Sequence, residues 1–286
     1  MTKFRGLIQD LTSFLPGGQR SNSPKTSLST TPTTSSSNIN DYQETESSAQ
    51  DAQPNDQRLC TVKRVSIKVG DSRGGSVVGF LHLPADYEAA KGNATNITAA
   101  ILLSGARGGL EGPSSMYLGI GDKLASLDQG IPALRLDYRF PARNKYCVQD
   151  VYAAMKMLEK DYAVSKFVLV GWSFGGAPVF TVGGPEKGRV VGCATVASQM
   201  AEAGGIQYLS PRPVLLLHGT ADQTLSSEYS ENLYRAYGPA GDRRIHLFEG
   251  DDHALTRNAA EAEEMLCKFV MKCAGMEIEG LEDEAF

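Results

Sequence analysis

The stretch Gly171-Trp172-Ser173-Phe174-Gly175-Gly176 decides how this chain is read. A short apolar run, Phe167-Val168-Leu169-Val170, leads into it, and Ala177-Pro178-Val179-Phe180 behind it can start a helix. A strand that turns sharply into a helix with serine at the apex needs small residues two before and two after that serine. A side chain at either position would meet neighbouring backbone, and the strained serine lifts its hydroxyl clear of the sheet. The same glycines also suit a turn that merely packs closely, so the decision rests on what flanks them.

Outward from this turn, continuous apolar runs alternate with helical patterns. The runs are residues 99–103, 132–136, 167–170, 190–196, 214–217 and 245–248. Strands apolar on both faces and spaced by helices predict a parallel sheet covered on both sides. Residues 146–162 put Val148, Val151, Tyr152, Met155, Leu158 and Tyr162 on one helical face, and 228–237 and 259–273 behave likewise. Ahead of this pattern, residues 61–69 alternate with Val65, Ile67 and Val69 facing inward. A turn at Asp71-Ser72-Arg73-Gly74-Gly75 then returns the chain through 76–83 as a hairpin. The expected fold class is therefore α/β: a mostly parallel sheet, an N-terminal antiparallel hairpin and helices on both faces. Only about fifteen residues separate the runs at 190–196 and 214–217, which leaves no room there for a large lid domain.

In open parallel sheets, reacting groups collect at the carboxyl ends of the strands. After Leu103 comes Ser104-Gly105-Ala106-Arg107-Gly108-Gly109. After Leu217 comes His218-Gly219-Thr220-Ala221-Asp222, and after Phe248 comes Glu249-Gly250-Asp251-Asp252-His253. With the Ser173 turn, these segments in this order resemble the α/β-hydrolase superfamily, in its compact lidless branch that includes dienelactone-hydrolase-like proteins. The resemblance covers roughly residues 58–274. It departs at one point: dienelactone hydrolases typically use a cysteine nucleophile, where this chain has Ser173.

The resemblance implies a serine hydrolase cleaving an ester, thioester or related acyl bond through an acyl-enzyme. Ser173 would be the nucleophile and His253 the base that activates it, since a free hydroxyl is a weak nucleophile near neutrality. Asp222 would orient the imidazole. Its competing role is to cap the following helix, and Glu202 is the rival acid because some family members carry the acid after the preceding strand. Asp251 and Asp252, next to His253, suit loop turns instead. The backbone N–H of Phe174 and one from the loop after Leu103, Ala106 first and Arg107 next, would hold the oxyanion. Arg107, Arg139 and Arg143 follow strand ends and are candidates for binding a substrate carboxylate or phosphate, or else form surface ion pairs. Trp172, Tyr138 and Phe174 are candidates for lining an acyl pocket or packing in the core. Two further readings stay open: a hydrolase-fold binding or scaffold protein with little chemistry, and acyl transfer or peptidase activity on the same residues.

Composition bounds the rest. The 286 residues carry a net charge of −5, about +3 of it up to Asn40 and about −8 beyond, which disfavours nucleic acid as a partner. The five cysteines include no C-x-x-C pair and suit a reducing compartment, with a cytoplasmic location expected. Two Asn-x-Thr triplets, at Asn93 and Asn96, would then be chance matches. Residues 1–57 read as a Ser/Thr-rich disordered tail that opens with an amphipathic pattern over 1–15. That start is compatible with a mitochondrial transit peptide, membrane contact or a silent tail. Residues 275–286 read as an acidic tail. Neither a phosphate loop, a dinucleotide fingerprint nor a metal-ligand motif occurs, so no cofactor and no metal are expected, only a small-molecule acyl substrate.

Overall fold

The computed structural model describes residues 60–87 and 97–276. The expectations for 1–57, for the triplet at Asn93 and for residues 277–286 lie outside the described residues. Eight strands form one sheet: β1 (Thr61–Lys68), β2 (Ser76–Leu83), β3 (Ile97–Leu103), β4 (Ala133–Leu136), β5 (Val164–Trp172), β6 (Val190–Val196), β7 (Val214–Gly219) and β8 (Arg243–Phe248). Their spatial order is β1-β2-β4-β3-β5-β6-β7-β8. β1, β2 and β4 pair antiparallel and every other neighbour is parallel. The described helices are α1 (Met116–Ala125), α2 (Asn144–Tyr162), α3 (Gly176–Gly183), α4 (Glu228–Tyr237) and α5 (Ala259–Cys273).

Alternation along the central strands creates two cores, because successive side chains point to opposite faces. Ile101, Leu103, Phe167 and Leu169 pack against α2, α3 and α4 on one face. Ala100, Leu102, Val168 and Val170 pack against α1 and α5 on the other. This double burial is why those strands read as unbroken apolar runs. In β1, Ile67 is buried while Val62 faces outward, as its alternation predicts.

Sequence pattern alone does not reveal α1, whose glycines at 119 and 121 weaken a helix by propensity. Packing overrides that cost. A Cβ on Gly121 would lie 2.8 Å from the His82 ring, and one on Gly119 would run into Glu263 of α5. The glycines thus let α1 sit close to both β2 and α5. No helix among the described residues is long and apolar enough to cross a membrane.

Arg139, a candidate for substrate binding or for a surface ion pair, is paired but buried. Its Nε donates to Asp150 Oδ1 at 2.5 Å, while Nη1 and Nη2 donate to the two oxygens of Asp71 at 2.8 and 2.7 Å. Nη1 also donates to the Gly74 carbonyl, so the hairpin turn is clamped to α2 and the end of β4. A rim arginine and a buried one look alike in sequence, and only the partners Asp71 and Asp150 tell them apart. Asp150 has no exposed side-chain surface. Arg139→Met is therefore expected to lower unfolding free energy by about 3–5 kcal/mol in urea titrations, because it strands that carboxylate. Hydrogen bonding to Arg139 also holds the Asp71 carboxyl down at about 2. That group ordinarily titrates near ~3.9, so its stabilising contribution is complete above about pH 4 and lost as pH falls toward 2. Stability measured over that interval should fall less steeply in the variant than in the wild type.

Candidate active site

Parallel register brings the distant loops to one edge. Leu103 pairs with Gly171, Trp172 with Val196, Val196 with Leu217, and Gly219 with Phe248. The segments after β3, β5, β6, β7 and β8 therefore leave the sheet side by side at its carboxyl edge.

At the apex after β5, Ser173 has φ 56°, a left-handed conformation rarely adopted by a non-glycine residue. The flanking glycines explain how the turn tolerates it. A Cβ on Gly171 would lie 2.4 Å from the Gly175 carbonyl oxygen, and one on Gly175 would lie 2.5 Å from that of Leu103. The loop after β3 passes directly over the serine, since a Cβ on Gly105 would be 3.5 Å from Ser173 Cβ.

Asp222 and His253 meet in this arrangement. His253 Nδ1 lies 2.6 Å from Asp222 Oδ2. The Asp222 carboxylate has no exposed side-chain surface. Its Oδ1 accepts the N–H groups of Thr224 at 2.7 Å and Leu225 at 2.9 Å. Burial alone would raise its pKa, but the bonds from His253, Leu225 and Thr224 outweigh burial and hold the carboxyl below its ordinary value. The two loops are stitched together by Thr220 N to Phe248 O and Ala221 N to Asp251 O, both 2.9 Å.

His253 is also tied to the serine turn. The Trp172 indole N–H donates to the His253 carbonyl at 2.9 Å, and the two rings stand 5.5 Å apart. Trp172 thus braces the histidine loop against the residue before Ser173. Among the described residues no hydrogen bond joins the Ser173 hydroxyl to the His253 ring, a contact that is commonly long until substrate is bound. Asp251 accepts from Asp252 N, Arg257 N and Asn258, and Asp252 from Ala254 N and Thr256, so both aspartates shape the loop.

The remaining candidates divide. Ala106 and Arg107 are exposed, and among the described residues neither backbone N–H has a protein acceptor, so both are free to donate. Phe174 is buried edge-on against Tyr138, with ring centroids 5.7 Å apart. Tyr138 is a strut, its hydroxyl donating to the Ser104 carbonyl at 3.0 Å. Phe174 also lines an open cleft of about 300 Å³ with Ala142, Arg143, Asn144, Lys145 and Glu202. Glu202 has φ 59° and is held by Thr181 Oγ1 donating to its carbonyl at 3.0 Å. Glu202 lines the cleft, whereas the His253 ring is bonded to Asp222.

No family model matches the chain, and no curated protein matches it either. Solved structures do. Est1E from Butyrivibrio proteoclasticus superposes with a TM-score of 0.59 at 16% identity, over 74% of this chain and 99% of that one. The esterase domain from a Rhodothermus marinus protein gives 0.55 at 22% identity, over 74% and 98%. Dienelactone hydrolase from Anabaena variabilis gives 0.57 at 17% identity, over 72% and 96%. The fold is the α/β-hydrolase fold. In this α/β-hydrolase fold the Ser173 turn occupies the strand-to-helix junction at the middle of the sheet, between β3 and β6.

One cluster of metal-type side chains lies away from this edge. Cys60, His82 and Asp122 bring their ligand atoms within 4.8 Å of one another. Sequence inspection misses it because the three residues come from just before β1, from β2 and from α1. The chemistry does not suit an ion. Arg135 Nε donates to His82 Nε2 at 2.9 Å, so Nε2 is the acceptor and Nδ1 carries the proton that goes to Asp122 at 2.8 Å. An ion at Nδ1 would have to expel that proton beside a fixed cation. Burial first, and then the charge of Arg135, lowers the His82 pKa, which fits a neutral ring.

The geometry of the serine turn is directly testable. Gly175→Ala must push against the Leu103 carbonyl. It is expected to cost about 1–3 kcal/mol in chemical denaturation. Gly188→Ala, with nothing within 4 Å of the added Cβ, should stay within about 0.5 kcal/mol of wild type.

Proposed function

We propose that this chain is a serine hydrolase that cleaves an ester, thioester or related acyl bond through an acyl-enzyme. The observation that carries the proposal is the 2.6 Å contact between His253 Nδ1 and the buried Asp222, on a loop that Trp172 ties to the Ser173 turn. An ionised Asp222 fixes the proton of His253 on Nδ1 and leaves Nε2 as the base. Nε2 takes the Ser173 proton as Oγ attacks the acyl carbon. The developing oxyanion is held by the N–H of Phe174 with that of Ala106, or of Arg107 next along the loop. Collapse expels the alcohol or thiol with the proton from His253. Water, deprotonated by the same nitrogen, then releases the acid and restores Ser173. Neighbours in the solved structures are named as esterases and a dienelactone hydrolase, in keeping with this chemistry.

The cleft beside Phe174 supports a small substrate with a polar or acidic group near the scissile bond. Arg143 and Lys145 line it with a single carboxylate, Glu202. Arg143 is exposed and, among the described residues, has no ion pair. A reducing, cytoplasmic setting fits the five free cysteines. Burial pushes the Cys147, Cys267 and Cys273 thiols up to about 12, which keeps them unreactive.

A fluorophosphonate probe should label the wild-type chain, and Ser173→Ala should abolish labelling. Asp222→Ala should lower kcat for p-nitrophenyl esters by about 10³–10⁴. A folded wild type that is neither labelled nor active would refute the proposal. In the same assay, Arg143→Ala should raise KM about tenfold for an ester bearing a carboxylate and leave its neutral analogue nearly unchanged.

A further inference from the structure

A second histidine reaches the acid of this site. His218, in β7, has no exposed surface, and its Nε2 lies 3.1 Å from Asp222 Oδ2, the oxygen that also meets His253. The same Nε2 lies 3.1 Å from the Leu225 carbonyl oxygen. Neither an ionised carboxylate nor a carbonyl can donate, so Nε2 must carry a proton and serve both. On the other side of the ring, Nδ1 lies 2.7 Å from Ser230 Oγ, on the buried face of α4. A hydroxyl can donate there, and it does so if the ring is neutral.

Neutrality follows from the surroundings. The charged and polar groups facing His218 are Asp222, the Leu225 carbonyl, Ser230 and, across the carboxylate, His253. Asp222 is the lone anion among them, and it already pairs with His253. Burial lowers the pKa of His218, against the opposing pull of Leu225 and Asp222.

We infer that His218 is a positioning residue of the proposed site: a neutral, Nε2-protonated imidazole, fixed by Ser230, that makes the second hydrogen bond to Asp222 Oδ2. The inference rests on reading Asp222 and His253 as a catalytic pair. The carboxylate then has four donors, two amides on Oδ1 and two imidazoles on Oδ2, which fills its acceptor sites. It cannot turn away from His253 without abandoning a buried bond. His218 touches neither substrate nor nucleophile, and its effect passes through Asp222.

The test uses the full chain labelled with ¹⁵N-histidine, together with His218→Leu, His218→Gln and Ser230→Ala. At pH 7 the wild-type spectrum should show His218 protonated at Nε2 and unprotonated at Nδ1. Ser230→Ala should raise the share of the other tautomer. His218→Leu should lower kcat about tenfold with KM little changed, and should move the His253 ring signals. His218→Gln, whose amide nitrogen can reach the Nε2 position, should recover most of that kcat.

A His218 ring in the wild type that is doubly protonated, or protonated at Nδ1 alone, would overturn the inference. So would a folded His218→Leu with wild-type kcat and unshifted His253 signals. If His218→Leu does not fold, the wild-type and Ser230→Ala spectra still decide. Loss of probe labelling and turnover in the wild type would instead defeat the hydrolase proposal, while the spectra report on the His218–Asp222 contact separately.

Discussion

Everything at the carboxyl edge turns on one buried negative charge. A carboxylate removed from water is tolerated only where hydrogen bonds replace its hydration. Asp222 meets that demand with donors from its own loop, from β7 and from the loop after β8. Satisfying the charge therefore fixes relative positions as well as energy. The loop after β7 folds back on itself to deliver two amides, and α4 is drawn in through Ser230. The His253 loop is held against the loop after β7. Trp172 then couples that assembly to the strained turn at Ser173. The serine's left-handed backbone is tolerated where glycines flank it and the surrounding contacts hold the turn.

Arginine use separates scaffold from site. Arg139 sits between Asp71 and Asp150 and joins the antiparallel hairpin to the parallel sheet. Arg135 is spent on His82, and Arg212 on the carbonyls of Gly183, Gly184, Val190 and Tyr208. Each of these satisfies buried acceptors that the fold would otherwise strand. Arg143, by contrast, opens onto the cleft beside Phe174. Among the described residues Arg143 has no ion pair, which leaves it available to the acidic substrate group proposed above.

The parts of this arrangement that sequence reveals are the local ones. The strand-to-helix turn announces itself because its glycines must sit two residues either side of Ser173. Asp222 and His253 are legible because each lies in the loop that leaves the carboxyl end of a strand, β7 and β8 respectively. What stays hidden depends on partners far along the chain. Arg139 differs from Arg143 only through Asp71 and Asp150. The α1 helix is concealed by glycines whose value appears only against His82 and Glu263. His218 reads as the last residue of a strand, although its spacing of four from Asp222 is a signal once the chain is known to reverse there. Trp172 reads as core or pocket, while its indole N–H serves the His253 carbonyl from 81 residues away.

The loop after β3, which the hydrolase proposal makes a source of oxyanion donors, is held as firmly as the Asp222 loop. Donors aimed at a developing charge are effective only if they need not reorganise when it forms. Asp137, just beyond β4, accepts the Gly109 N–H at 2.8 Å and the Tyr138 N–H at 2.7 Å through one oxygen. That oxygen would lie 2.6 Å from a Cβ on Gly108, whose φ of 72° already favours glycine. Tyr117 and Tyr138 donate their hydroxyls to the Leu103 and Ser104 carbonyls, both at 3.0 Å, so the loop is pinned at its root as well as its tip. With both ends anchored, the segment carrying the Ala106 and Arg107 amides is fixed, and among the described residues neither amide has a protein acceptor. Two carboxylates, Asp222 on one side of the serine and Asp137 on the other, thus keep the opposite halves of the proposed site in place by the same means: each draws in backbone amides that would otherwise be unpaired.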